Sequence, residues 1–215
     1  MSGGVEAKPQ ALEHFADYEE QHAAATLGMW VFLTNELLLF AGLFMTAIVL
    51  RILHPDAVLA AGEHLKWWLA GFNTAVLMTS AFTMTVAIEA ARRRDVAPLR
   101  RMLLVTAVLG AFFLVLKGVE YLLEYEEHLM PFLDRPFALP DPASRLFLNL
   151  YFIATGLHAL HILIGLGLLL VAWRRSADPA FVATKTVHIE IAGLYWHFVD
   201  LVWIFLFTTL YLVNR

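Results

Sequence analysis

Five apolar blocks, each wide enough to cross a bilayer, run through this chain and leave it few ways to fold. Crossing the hydrocarbon core takes ~20 helical residues. Every backbone N–H and C=O inside it must find a backbone partner, which admits only helices or a closed barrel. The blocks lack the period-2 alternation of barrel strands, so the reading is an all-α membrane protein, a five-helix transmembrane bundle. The predicted spans are about 26–50, 67–91, 102–123, 146–173 and 190–212. The composition agrees, with 60% hydrophobic and 16% charged residues in a chain of 215.

Residues 1–25 read as an acidic soluble tail and 26–215 as one transmembrane domain. The tail holds Glu6, Glu13, Asp17, Glu19 and Glu20 against Lys8, and it shows no apolar core of a cleavable signal peptide. The segment between the third and fourth spans carries Pro131, Pro136, Pro140 and Pro142 and cannot be regular helix throughout. Cationic residues set the expected orientation. Lys8, Arg92, Arg93, Arg94, Arg100, Arg101, Arg174, Arg175 and Lys185 gather on one side, and Arg51, Lys66, Arg135, Arg145 and Arg215 on the other. That bias predicts a cytoplasmic N-terminus and an outside C-terminus. The absence of cysteine excludes disulfides, thiolate zinc sites, iron–sulfur clusters, covalently attached haem and cysteine-ligated copper. No basic cluster suggests nucleic acid.

The ionisable residues inside the spans carry the functional question, because each is expensive in hydrocarbon unless it faces a partner. In the last span Glu190, Gly193, His197 and Asp200 form one stripe at helical spacing, with Tyr195, Trp196 and Trp203 around it. The first span carries Glu36, about 15 Å deep by the helical rise, as either a proton-handling or lipid-sensing acid or a neutral acid bonded across to another helix. The second places Asn73, Ser80 and, beside them, Thr74 where small polar residues commonly bond helices together. The third has Lys117, Glu120, Tyr121 and Glu124 on one face. A local Lys117–Glu120 ion pair with room to snorkel is the favoured reading there.

The fourth span aligns Tyr151, Thr155, His158, His161 and Gly165, with Gly156 beside them. Two histidines alone make no metal site, which needs a third or fourth ligand. Bis-histidine haem needs two histidines at equal depth, and His158 and His197 do not match in depth. By the same counting Glu36, His158 and Asp200 all come out near mid-membrane. The expectation is that at least two of these three are hydrogen-bonded or linked through water. His161 and His197 are the remaining members of the expected polar network or lipid and water contact.

Three of these stretches together resemble subunit III of the haem–copper respiratory oxidases. HIEIAGLYWHFVDLVWIFLF is similar to the family's His, acid, YWHFVD-x-VW pattern. TGLHALHILIG is similar to its TG-x-H-x-x-H-x-x-IG, and LTNELLLF, NTAVLMTS and the Glu120–Tyr121 pair agree more weakly. The chain departs from the family in three places. It has five spans where larger members have seven, Ile88 and Glu89 where a His pair is common, and Lys117 where a glutamine is usual.

The resemblance implies a subunit with no haem or copper of its own, those centres being in partner subunits. It implies packing against catalytic subunit I and the other oxidase subunits, phospholipid held among the helices, support of proton uptake, and residence in a bacterial cytoplasmic membrane. Rival readings are the equivalent subunit of a quinol oxidase, a nitric oxide reductase accessory protein, an independent transporter relaying protons through Glu36, His158, His197 and Asp200, and a b-type cytochrome. The transporter reading lacks repeated halves.

Overall fold

The computed structural model describes residues 18–130, 138–184 and 186–212, with side chains of the first helix described from residue 23. Most of the acidic tail, Pro131, Pro136, Arg135, Lys185 and Arg215 lie outside the described residues. The described chain is helical: α1 (Tyr18–Leu53), α2 (Pro55–Glu63), α3 (Trp67–Arg92), α4 (Val96–Glu126), α5 (Pro142–Arg175), α6 (Pro179–Thr184) and α7 (Thr186–Phe207), closed by a π-helical turn, Thr208–Leu212. Five helices are long and apolar enough to cross a membrane, one for each predicted span.

Local signals set where several of the spans begin and end. Asp141 caps α5 by accepting from the Ala143 N–H at 2.8 Å, and Pro142 takes the first helical position, where a missing N–H is harmless. At the other end of α3, Arg94 adopts φ 60°. Asp95 N–H then bonds Ala90 C=O at 2.9 Å and Arg94 N–H bonds Ala91 C=O at 3.0 Å. The same left-handed stop ends α4 at His128 (φ 57°), where Leu129 N–H reaches Glu124 C=O at 3.0 Å and Leu129 itself is buried. The Arg94 stop keeps the α3–α4 connection short, and the two helices pack along each other.

The first loop holds a helix that the sequence reading treats as loop. Pro55 starts α2, a nine-residue, alanine-rich helix of about two and a half turns whose Ala57, Val58 and Ala61 are buried. Ser144 at the start of α5 donates to the Ala57 carbonyl at 2.8 Å and fixes α2 there.

The final span is the hub. It packs against α3, α5 and α1, and half of its most apolar window is buried, against 17% for the first span. Two glycines make room for its Trp196. A Cβ on Gly110 of α4 would stand 2.5 Å from the indole, and one on Gly165 of α5 would stand 2.9 Å from it. Gly193 likewise lets α7 approach α3, since a Cβ there would meet Ile88 at 2.5 Å. Shape selects glycine here, through close approach rather than through backbone freedom.

Candidate functional site

Polar side chains from every span meet inside the bundle, and they form three assemblies. In the first, α7 is bonded to α3 by its tryptophans. Trp196 Nε1 donates to Ser80 Oγ at 3.1 Å and Trp203 Nε1 to Thr74 Oγ1 at 3.0 Å. Asn73 Nδ2 donates to the Phe113 carbonyl at 3.2 Å, carrying the tie across to α4. Tyr121 and Thr155 share a 2.6 Å hydroxyl bond between α4 and α5, with Tyr121 Oη over Gly156, 3.8 Å from where a Cβ would sit.

The second assembly joins α1, α5 and α7. His161 Nδ1 lies 2.8 Å from the Leu157 carbonyl, which only accepts, so the Nδ1 proton is fixed there. Nε2 faces Glu36 Oε2 at 3.0 Å. Two lone pairs would repel at that distance, so a proton sits between them, on either the carboxyl or the ring. Tyr195 Oη completes the group by donating to the His161 carbonyl at 3.0 Å. The partner of Glu36 is therefore His161, not the His158 or Asp200 that depth counting favours. The counting starts at Thr26 and assumes an upright helix. The span observed runs over 31 residues, about 46 Å at the helical rise and longer than a ~30 Å hydrocarbon core, so counting along one helix does not fix which residues of two helices stand level.

The third assembly lies between α4, α5 and the terminal turn. Lys117 Nζ donates to Glu120 Oε2 at 3.0 Å, Tyr151 Oη at 2.9 Å and Tyr211 Oη at 2.5 Å. Tyr151 donates to Glu124 Oε1 at 2.6 Å and Tyr211 to Glu120 Oε1 at 2.7 Å. Lys117 does not snorkel: its residue is 2% exposed, and Glu120, Glu124 and Tyr151 are 0% exposed. The ion pair with Glu120 exists, inside a larger cluster.

The remaining predicted residues are placed differently. His158 is fully buried between the Phe113 edge, 5.6 Å between ring centroids, and the Trp203 face at 5.0 Å. Neither of its nitrogens, and neither carboxyl oxygen of buried Asp200, bonds to a described residue. His197 is half-buried, with Nε2 3.5 Å from Thr85 Oγ1. It lines an apolar groove of about 310 Å³ between α1 and α7, with Trp30, Leu33, Thr34, Leu37 and Leu201. Glu190 does not join His197 and Asp200. It pairs with Arg92 at 2.8 Å where α3 ends. No continuous chain of side-chain hydrogen bonds links Glu36, His158, His197 and Asp200 among the described residues. Among them there is also no group of three or more His, Asp or Glu placed to hold a metal ion.

Sequence reasoning misses the role of Tyr211 and the reach of Glu124 and Tyr151. Their faces are legible at helical spacing, but the π-helical turn breaks the 3.6-residue count that would place Tyr211.

Comparison with known proteins gives the chain's relatives. The sequence pattern of a family described as cytochrome c oxidase subunit III matches residues 16–214. The chain is 34% identical over 217 residues to cytochrome c oxidase subunit 3 of Thermostichus vulcanus, covering 100% of both. It is 34% identical to the Synechocystis sp. protein of that name, over 86% of this chain and 74% of the other. It is 33% identical to the probable cytochrome c oxidase subunit 3 of Nocardia farcinica, over 88% of each.

Proposed function

The chain belongs to the cytochrome c oxidase subunit III family, and from that premise we propose that it is the non-catalytic helical subunit that steadies the oxidase's catalytic subunit I. It is a multi-pass membrane subunit of a haem–copper oxidase, part of a respiratory enzyme complex. In our reading the haems and copper belong to partner subunits, cytochrome c is the electron donor, and the membrane is the bacterial cytoplasmic one, with the N-terminus inside. One observation carries this reading: hydrogen bonds between intramembrane polar groups tie each of α1, α3, α4, α5 and α7 to another span. Groups engaged in this way hold a scaffold together.

Phospholipid and proton support belong to the same proposal. What favours a bound phospholipid is the α1–α7 groove, largely apolar apart from Thr34 and His197 and half-lined by the least buried span. What favours a part in proton uptake is the Glu36–His161 pair, which keeps a proton between two titratable groups. His197 would then meet lipid at the groove, and buried His158 and Asp200 would meet enclosed water.

A pyridine haemochrome spectrum of the isolated chain tests the assignment of redox centres. It will show no haem, and a stoichiometric haem signal would overturn the assignment. Turnover separates the proton role: an oxidase lacking this chain will keep normal haem spectra but lose activity during sustained catalysis.

A further inference from the structure

The Lys117 cluster ties α4, α5 and the terminal turn together, and its chemistry is unbalanced in one specific way. Lys117 uses all three ammonium protons, on Glu120 Oε2, Tyr151 Oη and Tyr211 Oη. Each tyrosine spends its single proton on a carboxyl, Tyr151 on Glu124 Oε1 and Tyr211 on Glu120 Oε1. Every donor is then engaged and both Glu120 oxygens are satisfied. One atom is left over, Glu124 Oε2, buried and without a hydrogen-bond partner among the described residues. The charges are unequal in the same sense, with two carboxyls against one ammonium in a volume with almost no solvent exposure. An uncompensated charge in such a place is strongly disfavoured.

We propose that this cluster is a proton-binding site, with one exchangeable proton carried on Oε2 of Glu124. Binding adds a proton from the aqueous phase to a carboxylate oxygen and breaks no other bond. The titratable groups facing Glu124 are Lys117, Glu120 and Tyr121 on α4, Glu127 just past its end, Tyr151 on α5 and Tyr211 on the terminal turn. Glu127 is itself held by Lys66 at 2.6 Å. Glu124 stands two residues before α4 ends at Glu126, so the exchange path to water is short and leads to the membrane end carrying that surface pair. Lys117 makes the site specific for a single proton. It supplies one of the two positive charges the carboxyls need and occupies the space a metal cation would take.

Infrared difference spectroscopy on the assembly purified with this chain tests the proposal. The unaltered protein will show a carboxylic-acid C=O band that shifts in D2O, and Glu124→Gln will lose that band. Lys117→Met will gain a second acid band, as Glu120 takes up the charge the ammonium supplied. An acid region unchanged by Glu124→Gln overturns the proposal, as does an unchanged acid region in Lys117→Met. A carboxylate band in the unaltered protein that responds to sodium or potassium means a bound cation instead, and overturns it too. Should Glu124→Gln fail to assemble, Tyr151→Phe keeps both carboxyls and decides the matter. The acid band will move to higher frequency as Oε1 loses its donor, and an unmoved band counts against the site.

Discussion

Trp196 shows how much of this bundle rests on single contacts. Its indole lies between two glycines and donates to Ser80. Gly110→Val forces side-chain atoms into the indole and will destabilise the protein by about 1–3 kcal/mol, the usual range for overpacking. Ser80→Ala keeps the packing but strands a buried N–H, and about 1 kcal/mol is expected in a membrane interior. Thermal unfolding in detergent distinguishes them, since the larger drop belongs to the glycine. Lys117 offers a sharper case. Lys117→Met leaves Glu120 and Glu124 without their cation, so a loss of about 3–5 kcal/mol is expected. Adding Glu120→Gln to that variant will restore much of it. A double variant no more stable than the single one would show that the cluster is held by packing rather than by charge.

At the scale of elements, α1 is the weakly held one, with 17% of its apolar window buried. Its polar tie is Glu36 to His161. Glu36→Leu and His161→Phe will each loosen α1 and will not add, with a coupling of about 1 kcal/mol. A double-mutant cycle read by unfolding checks this, and additive losses would mean that the pair contributes nothing. The same residues show what a sequence can and cannot give. All five spans are legible, because length and apolarity are properties of one segment at a time. The stripes on α3, α4, α5 and α7 are legible too, because a stripe is a matter of spacing. Which stripe faces which is not, since that depends on tilt and approach. Glu36 meets His161 rather than His158, one turn away on the same face. Helix α2 hides because nine residues of alanine-rich chain from Pro55 carry too little periodicity to separate them from loop. Tyr211 hides behind a π-helical turn.

For the whole molecule, the central claim is that the chain works as part of an oxidase and holds no redox centre itself. The family assignment rests on a match over residues 16–214, and within that length the fold gives α7 the central place. Its tryptophans bind α3, its tyrosine binds α5, and its glycine admits Ile88. In this account Asp200→Leu disturbs association and endurance under turnover while leaving haem spectra normal. The direct measurement is to tag the chain at its C-terminus, extract it in a gentle detergent and record the spectrum of what comes with it. The account predicts a large haem-bearing catalytic subunit in fixed ratio to the chain. A chain that purifies alone and drives proton uptake in liposomes would contradict it.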